Sequence, residues 1–313
     1  MSEISTWFKE AKLGLFLHWG LYSVAAGEWN GRKMEVGTYA EQIGGQLKIP
    51  NREYELLAQQ FSAAGFDADR WVAYALAADA RYMVLTAKHQ DGFCLFKTNA
   101  TSYNSVEATP FGRDAVGELS EACRRAGLRF GVYYSHARDH HQAGANWNEH
   151  GNTWDFKPQT EDDFREYFNN YALKQVKELC SNYGQLSVLW FDVPYRIPAD
   201  LSRALRETVK SLQPECLISS RIGNGFGDYE SWPDNRYPEH HTEGLWECCL
   251  TMNNTWGYSK YDTDFKKPGE IKRVLKKVNT LGGNLLLNVG PTGEGTFPPQ
   301  AVETLIHLRS AFR

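Results

Sequence analysis

Asp192 closes a short apolar run, Leu186-Ser187-Val188-Leu189-Trp190-Phe191, with Gly184 before it and Pro194 after it. Such a run, bounded by turn residues, reads as a strand covered on both faces. Side-chain alternation puts Val188, Trp190 and Asp192 on one side and Leu189 and Phe191 on the other. A carboxylate in this place can cap the following turn, or it can stand at the mouth of a parallel barrel, where such enzymes keep their chemistry. Both alternatives are open at this level, so the other strand ends must be weighed with it. His18 closes the apolar run 13–20, His89 and Gln90 follow the run 82–86, and Tyr134 ends 128–134. The irregular stretch 223–242 carries Asp228, Glu230, Asp234 and Glu239. Two carboxylates in one sugar-sized pocket are what glycoside hydrolysis needs: one attacks or stabilises the anomeric carbon, the other protonates the departing oxygen. Histidine, glutamine and tyrosine groups bind sugar hydroxyls, and indole rings stack on apolar sugar faces. Taken singly, a histidine in an apolar run is more often a satisfied core residue, and a strand tyrosine more often fills a core. Convergence at strand ends is what favours a site.

Those strand ends need a scaffold, and the spacing of apolar residues supplies one. Helices are expected over 52–61, 67–80, 113–126, 161–180, 200–212, 268–281 and 300–312. In the third of these Val116, Leu119, Cys123 and Ala126 keep helical spacing until Gly127 stops it. Strands are expected over 13–20, 82–86, 128–134, 186–192, 216–220, 245–251 and 284–289. Strand and helix alternate about seven or eight times along 313 residues. That rhythm is the signature of repeated βα units, and its length favours an α/β chain closed as a (β/α)8-like barrel. A single catalytic domain is expected over 1–313. The loop 22–50 carries Glu28 and Trp29, and loops this long inside a domain are usually functional.

The totals narrow the function classes. Net charge is −4 with the charges scattered, so neither nucleic acid nor a membrane is an expected partner. The first βα turn has no GxGxxG, and Gly223-Asn224-Gly225-Phe226-Gly227 lacks the Lys-Ser/Thr ending of a phosphate loop. No cofactor is expected. The six cysteines show no paired spacing and read as reduced core thiols. Residues 1–6 show no signal peptide and no run reaches membrane length, which leads to the expectation of a cytoplasmic enzyme.

The stretches WFKEAKLGLFLHWGLY (7–22), LTAKHQDGF (85–93), RFGVYYS (129–135), LWFD (189–192) and GNLLLNVGP (283–291) together resemble the α-L-fucosidases of glycoside hydrolase family 29. They occur in family order across nearly the whole chain. The resemblance implies hydrolysis of α-linked L-fucose with retention, through a covalent intermediate on the aspartate ending the fourth strand, here Asp192. The segment DYESWPDN (228–235) is similar to that of a compact bacterial branch that includes α-1,6-fucosidases of lactobacilli. It implies Asp234 as acid/base, with Glu230 as runner-up and Glu239, Glu243 and Glu247 behind it. The resemblance further implies that His18, His89 and Tyr134 lie against the sugar, with Glu28 and Trp29 from the first loop and Trp256 nearby. Gln90 stands where most relatives have a second histidine. The partner implied is a fucosylated oligosaccharide or glycoconjugate. A homo-oligomer is allowed, since relatives commonly associate. The chain ends soon after its last helix, so the C-terminal β-sandwich of many relatives is not expected.

Two other classes compete. A metal-dependent barrel hydrolase draws on the loop residues His136, Asp139, His140, His141 and His150, but no HxH ends the first strand, and no metal is expected. A fucose-binding protein without catalysis would keep the pocket but has no need of both Asp192 and Asp234.

Overall fold

Short apolar runs bounded by turn residues become strands β1 (Leu13–Leu17), β2 (Tyr82–Lys88), β3 (Arg129–Ser135), β4 (Val188–Asp192), β5 (Leu217–Ile218), β6 (Glu230–Ser231), β7 (Trp246–Thr251) and β8 (Asn284–Val289). The structure is a computed structural model and describes residues 3–147 and 151–308. All eight strands run parallel, neighbours follow chain order, and β8 pairs with β1 so that Leu13 lies beside Leu285. β5 and β6 meet through the parallel bridge between Ser219 and Tyr229. The sheet therefore curls into a (β/α)8-like barrel with helices outside it.

Helix limits follow their caps. Asp67 accepts from the Arg70 amide at 2.9 Å to start Ala68–Ala77, and Asp114 accepts from the Gly117 amide at 2.8 Å to start Ala115–Ala126. Gly127, at φ 67, ends the second of these. The expected helix over 161–180 is interrupted by a π-helical turn, Phe168–Ala172, between Glu161–Tyr167 and Leu173–Asn182. The helix expected over 52–61 is a short α-helix, Asn51–Tyr54, continued by the 3-10 helix Glu55–Gln60, and the loop 22–50 holds the short helices Tyr22–Ala25 and Ile43–Gln46. Further elements differ from expectation. A helix covers Glu3–Ala11, and its Phe8 closes the lower end of the barrel against Tyr82 and Tyr229 at ring distances of 5.8 and 4.6 Å. β6 lies in a stretch read as irregular, because two residues are too few to show a pattern. No helix among the described residues is long and apolar enough to cross a membrane. All six cysteines are buried and unpaired.

Alternation sorts the core into two layers. Phe16, Tyr82, Val84, Tyr133, Val188, Trp190 and Leu286 pack together inside the barrel. Leu15, Met83, Leu85, Val132, Tyr134, Leu189, Phe191 and Leu287 face the helices. Gly14 belongs to the inner layer, where a Cβ would come within 2.4 Å of the Tyr82 ring. That ring cannot easily give way, because its hydroxyl donates to Glu247 Oε2 at 2.6 Å. Gly14→Ala is therefore expected to destabilise the fold by about 1–3 kcal/mol, the usual cost of overpacking. A lowered urea midpoint with an unchanged m-value is the measurement that shows it.

Candidate active site

At the carboxyl ends of the strands a cleft of about 300 Å³ opens, walled by residues from both sides of the barrel mouth. Asp192 enters it from the last position of β4. The next residue, Val193, takes φ 50, a left-handed conformation rare for a β-branched side chain. Such strain persists only where the surroundings impose it, and it turns the chain sharply away directly after the carboxylate. Asp192 Oδ2 accepts from the Tyr133 hydroxyl at 2.9 Å, and Oδ1 accepts from Arg221 Nη1 at 3.1 Å. The other terminal nitrogen of Arg221, Nη2, donates to Asp234 Oδ1 at 2.6 Å and to the Trp232 carbonyl at 3.0 Å. One guanidinium thus joins both carboxylates.

Arg221 sits on the 3-10 turn Ser220–Ile222 that follows β5. Its charge is buried, which works against the protonated form, yet Asp192, Cys249 and Asp234 more than offset that, holding its pKa well above the ordinary value. The guanidinium also lies over the Trp190 ring, 4.7 Å from its centroid. Trp190 is fixed from below, because its Nε1 donates to Glu247 Oε1 at 2.6 Å. Burial pushes the Glu247 carboxyl upward, and the bonds from Tyr82 and Trp190 pull it back. Asp234 is held through its neighbours: the Trp232 amide bonds the Glu247 carbonyl at 3.0 Å, and the Asn235 amide bonds the Cys249 carbonyl at 3.0 Å. Asn235 itself takes φ 58, a conformation asparagine tolerates, and its Oδ1 accepts from the Thr251 amide at 2.9 Å.

The opposite wall is neutral and hydrogen-bonding. His18 Nδ1 lies 2.7 Å from Asn288 Oδ1, while Asn288 Nδ2 donates to the Trp256 carbonyl at 2.7 Å. That second bond orients the amide, so His18 Nδ1 is the donor and Nε2 is left as an acceptor. Burial lowers the His18 pKa to about 4, which keeps the ring neutral at physiological pH. His89 stacks on Tyr133 at 5.2 Å, and burial likewise holds its pKa well below the ordinary value. Gln90 lines the cleft and accepts from Arg138 Nη1 at 2.8 Å. Trp256 lies 5.2 Å from the His18 ring.

Asp192, Asp234, His18, His89, Gln90 and Trp256 are therefore brought together, and four expectations are corrected. Tyr134 faces outward between barrel and helices, donating to Gln175 Oε1 at 2.7 Å. Its neighbour Tyr133 is the one beside Asp192, because the register pairs Tyr133 with Trp190 and Tyr134 with Phe191. Glu28 and Trp29 form a small hairpin with Arg32 and Lys33 and are not among the residues lining the cleft. Glu28 is engaged there by Lys260 at 3.0 Å and by Tyr261, and Trp29 packs beside Tyr54. Glu230, at the first position of β6, is exposed and lies off the cleft. Glu239 and Glu243 are exposed as well, and Glu247 is buried in the barrel. The loop histidines also diverge: Asp139 pairs with Lys88 at 2.6 Å, His140 packs on Trp154, and His141 bonds Glu55 at 2.7 Å. His150 lies outside the described residues, and among those described no group of three or more His, Cys, Asp or Glu could hold a metal ion.

Sequence reasoning missed Tyr133, Arg221 and Glu41. The parity of β3 against β4 carried the signal for the first. Arg221 had none stronger than its place before the carboxylate-rich segment. Glu41 lines the cleft from the first loop and accepts from the Gly257 amide at 2.8 Å.

A parallel barrel with paired carboxylates and neutral hydrogen-bonding groups at its mouth defines a glycoside-hydrolase type of enzyme. The alpha-L-fucosidase family model matches residues 1–309, and the chain belongs to that family. Tissue alpha-L-fucosidase of Mus musculus is 30% identical over 97% of this chain and 68% of its own length. Among solved structures, alpha-L-fucosidase AlfC from Lactobacillus casei with its α-L-fucose product superposes with a TM-score of 0.90 at 42% identity, covering 99% of this chain and 98% of that one. An AlfC mutant in complex with Fucα(1,6)GlcNAc gives a TM-score of 0.87 at 40% identity over 98% of this chain and 97% of that one.

Burial raises the Glu41 pKa from 4.5 to about 7, against the pull of the Gly257 bond. Between those two values the folded chain keeps a proton that the unfolded chain releases. The proton's contribution to stability is complete below pH 4.5 and is lost as pH rises through about 7. Relative to Glu41→Gln, the wild type should lose stability across that window and then level off. Urea unfolding of both proteins over the same pH series measures it.

Proposed function

We propose that this protein is a retaining exo-α-L-fucosidase with Asp192 as nucleophile and Asp234 as acid/base. The carrying observation is that Arg221 joins both carboxylates in a cleft whose other polar lining includes the neutral rings of His18 and His89, the Gln90 amide and the Glu41 carboxyl. Retention calls for carboxyl groups about 5–5.5 Å apart, and a bridging guanidinium favours the short spacing over one that leaves room for water. His18 Nε2 accepts a sugar hydroxyl proton, Trp256 offers an apolar face, and the Glu41 carboxyl can bond a further hydroxyl.

In the first step an Asp192 oxygen attacks the anomeric carbon while the bond to the leaving oxygen breaks. Asp234 Oδ1 accepts from Arg221, so the proton that neutralises the leaving oxygen comes from Oδ2. The product of this step is an Asp192–fucosyl ester and the free aglycone. In the second step Asp234, now a carboxylate, takes a proton from water, whose oxygen attacks the anomeric carbon and releases Asp192. Arg221 and Tyr133 stabilise the Asp192 carboxylate as it leaves, and they do so without reorganisation because both are already in place. The neighbour bound to Fucα(1,6)GlcNAc supports an α-1,6-linked N-acetylglucosamine as leaving group.

Asp192→Asn is expected to lower kcat on 4-nitrophenyl α-L-fucoside by about 10³-fold or more. Retained wild-type turnover in that variant would falsify the nucleophile assignment. Asp234→Ala should cost about 10²–10⁴-fold on a fucosyl disaccharide, the ordinary worth of a general acid. The nitrophenyl substrate, whose leaving group needs little protonation, should lose far less at the fucosylation step. Parallel kinetics on the two substrates compare these losses, and equal losses count against Asp234.

A further inference from the structure

Beyond Gln42 and Gln90, which border both spaces, the catalytic cleft continues into a second chamber of about 700 Å³ that opens to solvent. Lys48, Arg138, His140 and Trp154 line it, and among the described residues no Asp or Glu does. Its position in the barrel decides what it can receive. Gln90 follows β2 and Arg138 follows β3, whereas Asp234 follows β6, across the ring of eight strands from β2. A leaving group must sit beside the acid that protonates its oxygen, so it departs on the Asp234 side. The chamber therefore faces the other edge of the sugar ring, where Gln90 and His89 stand. Its charge then decides the chemistry. Arg138 remains a cation while its Nη1 donates to Gln90 Oε1 at 2.8 Å and its guanidinium lies 4.8 Å from the Tyr195 ring. Lys48, exposed on the rim, adds a second positive charge. Two cations, with no carboxylate among the described lining residues, make a site for an anion, and a sulfate ester brings a charge and oxygens that such donors can hold.

We infer that this chamber is a subsite for an anionic substituent, a sulfate ester, carried on a ring hydroxyl of the fucose remote from the scissile bond. The inference rests on fucose occupying the cleft as proposed above. The two walls of the mouth then have different roles, the Asp234 wall releasing the aglycone and the Gln90 wall admitting a decorated sugar.

Titration calorimetry of the intact chain with L-fucose and with its 2-, 3- and 4-O-sulfates tests the subsite without requiring turnover. At least one sulfate should bind about tenfold or more tightly than L-fucose, a gain of about 1.4 kcal/mol. Lys48→Glu should abolish that gain while leaving L-fucose affinity within about twofold. Added salt should shrink the gain, because Lys48 is solvent-exposed. The inference is overturned if every sulfate binds more weakly than L-fucose, or if the gain survives in Lys48→Glu. Hydrolysis of unsubstituted 4-nitrophenyl α-L-fucoside is assayed in parallel. If L-fucose binds but that substrate is not cleaved, the fucosidase proposal fails and the calorimetric outcome still stands for the chamber.

Discussion

The shared ion pair at Arg221 is the constraint from which the rest of the mouth follows. A guanidinium and two carboxyl groups are taken at least partly out of water there, and each loses hydration that only its partners can replace. Removing one member leaves the others with less to replace the hydration they have lost. The arrangement is therefore tolerable only if the geometry is fixed, and a column of contacts fixes it. Arg221 rests on Trp190, Trp190 is held by Glu247, Glu247 is held by Tyr82, and Tyr82 fits because Gly14 has no side chain. The barrel interior is thus more than filler. Its polar members carry a positional constraint from the lower half of the barrel to the carboxylates at the top.

That column explains which parts of the molecule were legible in the amino-acid sequence. Strands and helices were, because apolar periodicity and capping residues encode them locally: β8 was expected over 284–289 and occurs as Asn284–Val289. Asp192 was legible as well, since it ends a buried run. The two tyrosines of RFGVYYS show where local information stops. A one-residue change of parity moves a side chain from the mouth to the helix layer. Only the register against β4, which sets Ser135 beside Asp192, decides between Tyr133 and Tyr134. That register is a long-range property of the sheet.

The first loop fails for a related reason. Glu28-Trp29 is the more conspicuous acidic–aromatic pair, yet it turns back on itself in a hairpin and meets Lys260 and Tyr261. Glu41 reaches the cleft because its carboxylate is tied to the Gly257 amide, 216 positions away along the chain. Nothing within a few residues of Glu41 announces that contact. The helix Glu3–Ala11 was hidden in the same way, since its buried face, with Phe8 and Ala11, gains meaning only once there is a barrel bottom to close.

The two sides of the mouth obey different physics, and that difference bears on how such a site can change. From β4 to β6 the groups are charged, mutually bonded and set on a backbone that holds Val193 in a disfavoured conformation. A substitution there disturbs several charges at once, because Arg221 couples them. From β1 to β3 the groups lining the cleft are neutral rings, the Gln90 amide and the Glu41 carboxyl, whose protons are set by burial and a few hydrogen bonds. Gln90 illustrates the latitude this leaves. An amide can both donate and accept, so it can serve a sugar hydroxyl where an imidazole would, while its Oε1 takes a bond from Arg138 behind it. Changes on this wall alter what the site accepts and leave the bonds of Asp192 and Asp234 to Arg221 in place. Under the proposed assignment of Asp192 and Asp234, specificity can therefore shift on the β1–β3 side while the chemistry on the β4–β6 side stays intact.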